Sequence, residues 1–368
     1  MLDRNPPGTF GVRVWVLAAA IFAAAYLVWT VLAGAFEAFL LLFTAILLAA
    51  GLRPIVERLS KRMPFGAAVS LAFGALLIVG TLLVVLLNAP IASELIKLIK
   101  SLPDIITALQ DRLAALQRFI KSDQFVQQIV SMLSNNAGGA INLIGSHLLA
   151  GPTFVGKAIG NLLIILLLAL GWMLAEDELT QFVLSLFPPG VRQDWREAFI
   201  LIGQRLSAYV QGVVINGAIV GIVMGIALAV LGVPYSLLLA FIIALAQAIP
   251  MVGAVISGIV VLLAALASVG WVKMLIVIGI FAVVQVIDQN VLSPIIFGQR
   301  VQMNFLLIIF STVVGGLLLG IAGAFLAVPA AVVLQVILVQ IVAPAIRRAN
   351  GVTPDGAVLP VESAETRN

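Results

Sequence analysis

Apolar residues run along this chain in long continuous blocks, separated by short polar or Gly- and Pro-containing stretches. Blocks of this kind read as helices crossing a bilayer, because about 20 apolar residues at 1.5 Å each match a hydrocarbon layer roughly 30 Å thick. Spans are predicted at 14–33 and 36–52, joined through "GAFE" with Glu37 at the outer turn, then at 65–88 and 154–174. A long helix over 206–231 stops at "GVPYS", where Gly and Pro end it. The strict alternation of a lipid-facing barrel is absent. Between 89 and 150 the period changes. Leu95, Ile99, Leu102, Ile106, Leu109, Leu113, Leu116 and Ile120 recur every three or four residues, as in an amphipathic helix, and Pro103 marks a break or a new start. Such helices lie on the outer membrane surface or pack on neighbouring subunits.

Two apolar blocks carry breaks of their own. The first, 237–268, is interrupted at "QAIPMVG", leaving arms of only about 13 to 15 residues, roughly 20–22 Å each. The second, 305–342, is interrupted at "GGLLLGIAGAFLAVP". Each follows a span, 206–231 and 271–287, and the two units start from opposite sides of the membrane. The pattern predicts two re-entrant helical hairpins in inverted orientation, in a transport core at 205–346 made of units 205–268 and 271–346. Backbone left unpaired at membrane depth must be received by protein or by a watery cavity, and paired breaks in inverted halves point to a transport site. Gly and Pro are also common in membrane helices, and small residues let such helices pack closely with no ligand at all.

The candidate site residues follow from these breaks. Asp288, in "QVIDQN", is an ionisable group at the end of an apolar span; if deep it is expensive and functional, and if interfacial it is a solvated helix end. Gln285 and Asn290 beside it offer donors and acceptors for a cation or a hydroxylated solute. Gln247 stands at the first hairpin tip. Gln211 and Asn216 either line the same path or join helices. Glu176, Asp177 and Glu178 form an acidic cluster at the end of the fourth span, most simply solvated.

Composition sharpens the class and removes others. Of 368 residues, 62% are hydrophobic and 10% charged, too few charges to cover a soluble protein of this length. The net charge of +4 rests on 20 Lys and Arg set mostly at span ends, which is a topology signal and not a nucleic-acid footprint. Arg53, Arg58, Lys61 and Arg62 make the linker 53–64 cytoplasmic; both termini then face inward, with Arg347 and Arg348 opening the tail 347–368. The first span is longer than a signal-peptide core and is read as retained, with cleavage near "AGA" at 33–35 the alternative. With no cysteine and the single histidine His147, neither a Cys- nor a His-based metal centre is available. No cofactor is expected, and no Walker motif provides for ATP. An aspartyl protease would need a second intramembrane aspartate. The remaining divisions are 1–88, holding spans one to three, an extracytoplasmic helical region at 89–152, and span four with its cytoplasmic connection at 153–204.

"RPIVERL", "LSAYVQGVVINGAIVGIVMGIALAVLGVP", "LAQAIPMVGAVISG", "QVIDQNVLSPIIFGQRVQMN" and "GGLLLGIAGAFLAVP" together resemble the AI-2E family of bacterial membrane transporters, in order and over nearly the whole chain. The resemblance implies an all-α polytopic protein of the inner membrane with about eight hydrophobic segments, assembled as a homo-oligomer, with five subunits as one implied size. It implies transport of a small solute: autoinducer-2 in some members, sodium or lithium against protons in others. It places Gln247, Pro250 and Gly253 on the first hairpin motif. Asp288, Asn290, Pro294 and Gly298 fall on the polar motif, and Gly316, Gly320, Gly323 and Pro329 on the last. "IPMVGAV" departs from the family pattern, which often has an aromatic after the first proline and a second proline after the glycine. The reading is a secondary transporter moving a small polar solute or monovalent cation by alternating access, with proton or sodium coupling; a passive channel or oligomeric scaffold is the alternative. It is not an enzyme.

Overall fold

The computed structural model describes residues 12–117, 151–250, 252–297 and 303–350, and every regular element among them is helical. His147, Gly298 and the rest of the amphipathic region from 118 lie outside the described residues. Helix α1 (Val12–Ser60) is a single helix of 49 residues, about 74 Å long. It continues without interruption through 34–37, so the turn expected at "GAFE" is absent and the two spans predicted there are one helix. One glycine among good helix formers costs only about 1 kcal/mol, and "GAFE" itself holds no proline. The basic stretch 53–64 accordingly begins inside α1, whose last turn holds Arg58.

Helix α2 (Phe65–Gln117), of 53 residues, joins the third span to the amphipathic region and passes Pro103 without the expected break. A proline inside a helix costs about 3 kcal/mol, which the long flanking runs of helix formers outweigh. Helix α3 (Gly151–Ser185) carries the fourth span. Ala45, Ala49, Leu52 and Val56 of α1 share a buried core with Ala68, Val69, Ala72 and Phe73 of α2 and Ala169 and Met173 of α3. Small residues in this seam let the backbones approach, which is how membrane helices gain over lipid contact.

Helix α4 (Arg192–Val230) is the axis of the second half. It crosses the boundary expected at 204–205. It ends in a Schellman cap: Val233 N–H donates to Leu228 O at 2.9 Å and Gly232 N–H to Ala229 O at 3.0 Å. Gly232 has φ +72°, a left-handed value suited to glycine. Helix α5 (Ser236–Ala246) then packs back along α4. A Cβ on Gly217, Gly221 or Gly225 would lie 2.6–2.7 Å from Ala244 or Ala240, so glycine at every fourth position is what lets the two backbones meet. Helices α6 (Val252–Ser268) and α7 (Gly270–Ile287) complete this unit. They share a core with α4 and α5 that includes Val220, Met224, Leu228, Ile243, Val261 and Val277.

Beyond α7 the helix widens into a π turn at Asp288–Leu292, followed by the short α8 (Ser293–Phe297). Helix α9 (Phe305–Ile337) holds the second broken block, and Gly320 within it has φ +62° and ψ −142°. The chain reverses there. A Cβ on Gly315 would lie 2.4 Å from Gly323 O and 2.7 Å from Ala327 Cβ, whereas residues 315 and 327 of a straight helix would stand about 18 Å apart. α9 is therefore a hairpin with arms 305–319 and 321–337. A second π turn, Leu338–Val342, and α10 (Ala343–Ala349) follow. Among the described residues, five stretches are long and apolar enough to cross a membrane: Gly34–Ser60, Phe65–Leu82, Pro189–Val230, Val272–Phe297 and Leu306–Arg348. The last contains the reversal at Gly320. The architecture is an all-α polytopic membrane protein.

Candidate functional site

Asp288 is buried at 5% exposure, Asn216 at 4% and Gln285 at 9%. Asn216 of α4 and Ser293 of α8 both bring their side chains within hydrogen-bonding reach of the Asp288 carboxyl. The π turn sets this aim. Ser293 N–H reaches back five residues to Asp288 O, and Pro294, which has no N–H, would in a regular helix press its ring on the carbonyl four residues back. Asn290 serves the turn itself, donating Nδ2–H to Val286 O at 2.8 Å. It is a structural clip and points at backbone.

Buried polar atoms without a hydrogen-bond partner gather on this face: Asp288 Oδ1, Asn216 Oδ1, both amide atoms of Gln285, and Gln247 Nε2. Gln285 is one turn ahead of Asp288 on the same helix face. Gln247 sits beside Gly217, where an added Cβ would be 3.8 Å from its own Cβ. A buried polar atom left so costs about 1–3 kcal/mol. Asp288 Oδ1 and Asn216 Oδ1 are both acceptors, so their complement carries a proton or a positive charge: a solute hydroxyl, a monovalent cation, or the proton of the carboxyl itself.

The first hairpin tip reaches this cluster. Tyr209 of α4 donates its OH to Ala248 O at 3.2 Å, and Val252 N–H donates to Pro250 O at 2.7 Å. The tip closes on Gly253, where a Cβ would stand 1.8 Å from Ala246 O. Tyr209 and Phe297 pack with ring centroids 6.3 Å apart, and the Phe297 ring lies on Gly212, 2.5 Å from where a Cβ would be. These two aromatics bound the Asp288 cluster toward the N-terminal end of α4. Sequence reasoning missed Tyr209, Ser293 and Phe297; the signal was the glycine at 212, four residues before Asn216 on the same helix.

The second hairpin is placed differently. Its second arm packs on the N-terminal half of α4, where Leu326 and Val332 share a core with Leu206 and Leu47. Gly316 and Gly323 lie in the arms, Gly320 is the reversal, and Pro329 is buried in the second arm. This hairpin packs chiefly on α4 and its own π turn, not on the first hairpin. Leu317, Leu318 and Ile321 around its tip are 83%, 75% and 81% exposed. Gln211 proves to be glue: it donates to Gly51 O at 3.1 Å and to Ser207 Oγ at 3.2 Å, joining α4 to α1.

A separate cavity of about 140 Å³ lies between α1, α3 and α4, lined by Arg53, Trp172, Glu176, Thr180, Phe199 and Gly203. Glu176 is not free in solvent: Arg53 bonds both Glu176 and Glu57, the latter at 2.9 Å.

A multi-pass helical protein with a hairpin tip beside a buried carboxylate has the build of a membrane transporter. Comparison with known proteins supplies the family: the AI-2E family transporter model matches residues 14–343, and the chain belongs to that family. It is 25% identical to "Putative transport protein MT0215" of Mycobacterium tuberculosis (strain CDC 1551 / Oshkosh) over 297 residues, 77% of this chain and 78% of the other. It is 26% identical to "AI-2 transport protein TqsA" of Escherichia coli (strain K12) over 307 residues, 80% and 84% of the two chains. To "Putative transport protein YrrI" of Bacillus subtilis (strain 168) it is 34% identical over 152 residues, 40% and 43%. The role these names describe is transport, which is not enzymatic.

Proposed function

We propose that this protein is a secondary transporter of the bacterial inner membrane, moving a small polar solute or a monovalent cation by alternating access around re-entrant hairpin tips. The observation that carries the reading is the buried Asp288 carboxyl facing Asn216, with unpartnered polar atoms of Gln285 and Gln247 around it. Asp288 binds the coupling proton or sodium ion; the amides of Asn216, Gln285 and Gln247 take the cargo, for which an autoinducer-2-like signal is one candidate by analogy with the E. coli relative's name. Pro250, Gly253 and Pro294 shape the backbone around these groups. Gly320 gives the second hairpin its reversal, Gly316, Gly323 and Pro329 shape its arms, and the two hairpins enter from opposite faces in the inverted sense. Arg348 pairs with Asp194 at 3.5 Å, which supports one cytoplasmic face for the start of α4 and the C-terminus. The apolar tip at Leu317, Leu318 and Ile321 supports a homo-oligomer, with lipid covering what remains.

The test is Asp288→Asn in proteoliposomes, with solute panels assayed under proton and sodium gradients. The expected result is loss of gradient-dependent flux by at least tenfold, with unchanged assembly. Flux that remains gradient-coupled removes Asp288 from the mechanism. Flux in the unaltered protein that neither saturates nor responds to dissipated gradients favours a passive channel.

A further inference from the structure

The structure repeats itself at an interval of fifty residues. The π turns Asp288–Leu292 and Leu338–Val342 are separated by that interval, as are the short helices that begin at Ser293 and Ala343. Gly270 starts α7, and Gly320 starts the second arm of α9. Residues follow the geometry: Val283, Gln285, Val286, Ile287, Pro294 and Ile296 recur as Val333, Gln335, Val336, Ile337, Pro344 and Ile346. In a chain 62% hydrophobic the Val and Ile matches mean little. A glutamine within an apolar run is costly, and each proline sits two residues past its π turn, where its ring explains the widening. Those matches carry the repeat.

Both copies run the same way along α4. The first extends from the Met224–Leu228 region to Phe297 on Gly212. The second extends from Leu206 to the Arg348–Asp194 pair. The second copy is therefore the first displaced toward the N-terminal end of α4 by on the order of 25 Å. Its charge differs: Leu338, half-exposed, stands where Asp288 stands, and Ala343 where Ser293 does.

We infer that the second copy is a second polar station of the same path, nearer the cytoplasm, with Gln335 in the position and role of Gln285. Without a carboxylate it hands on a hydroxylated solute or a hydrated cation and does not hold the charge that Asp288 holds. This rests on the transport reading above.

The chain has no cysteine, so Gln335→Cys, Gln285→Cys and a control, Leu334→Cys at a 55% exposed neighbouring position, can be probed singly in oriented membrane vesicles. The probe is a membrane-impermeant cationic methanethiosulfonate. Gln335→Cys is expected to react at least tenfold faster from the cytoplasmic side than from the outer side, and tenfold faster than Leu334→Cys. Gln285→Cys is expected to react more slowly than Gln335→Cys from the cytoplasmic side. Should Gln335→Cys fail to assemble, Ala331→Cys, one turn earlier on the same face, takes its place. A folded variant that is silent, or no faster than Leu334→Cys, overturns the proposal. The two readings fail separately. Flux in the unaltered protein with a silent Gln335→Cys removes the second station alone. Absent flux with a labelled Gln335→Cys removes the transporter and leaves a water-filled path.

Discussion

Gly253 and Gly171 look alike in the sequence and differ in kind in the fold. A Cβ on Gly253 would meet Ala246 O at 1.8 Å, while one on Gly171 meets nothing within 4 Å. Gly253→Ala is expected to destabilise by about 1–3 kcal/mol or more through overpacking, and Gly171→Ala to stabilise by up to about 1 kcal/mol. Thermal unfolding in detergent reads the difference, and equal Tm values would mean that the hairpin tip yields without strain. The same contrast governs what could be read in advance. Asp288, Gln285 and Asn216 stood out as candidates because polar groups in apolar spans are expensive wherever they lie deep; that all three are buried is read from the fold alone. The role of Asn290 was not legible, because a π turn leaves no mark on hydrophobic periodicity. Nor could Gln211 be assigned, since its partner is a backbone carbonyl at Gly51, 160 residues away.

At the scale of elements, α5 has no cap of its own: Tyr235 precedes it at φ +60° with no capping side chain. The cap comes from α2. Glu94 Oε2 accepts from Leu238 N–H at 2.7 Å, and Ser101 Oγ lies 2.7 Å from Tyr235 OH. A carboxylate at a helix N-terminus meets both the unpaired N–H groups and the positive end of the dipole. The amphipathic region thus holds the root of the first hairpin, a role its period alone could not announce. Removing the cap with Glu94→Ala costs about 1 kcal/mol, so amide exchange over 236–241 is expected to rise about fivefold. Exchange unchanged from the parent would show that the hairpin root stands without α2. The breaks at 247–250 and 320 were readable because Gly and Pro punctuate helices. The merging of spans in α1 was not, because a glycine between two apolar runs reads as a turn, although "GAFE" lacks the proline that would end a helix of this strength.

At the scale of the whole molecule, α1 is longer than one bilayer crossing accounts for. Gly34–Ser60 already suffices to cross, yet α1 extends back to Val12 through a stretch whose sequence is almost wholly apolar. At roughly 74 Å the helix is more than twice the hydrocarbon thickness. A stretch of that character left in water would oppose folding at about 25 cal/mol for each Å² exposed, so it requires cover. Among the described side chains, the neighbouring helices of this chain pack on α1 from Leu40 to Leu59. Other copies of the chain are the cover consistent with the proposed homo-oligomer. Deleting residues 1–33 is therefore expected to lower the mass of the assembly in mild detergent, as measured by native mass spectrometry. The monomer fold, followed by helical content and Tm, should change little, because the core of α1, α2 and α3 lies outside the deletion. An assembly of undiminished subunit number would move the interface to another apolar surface, the exposed tip at Leu317, Leu318 and Ile321. There, Leu318→Cys cross-linking between subunits would report it directly.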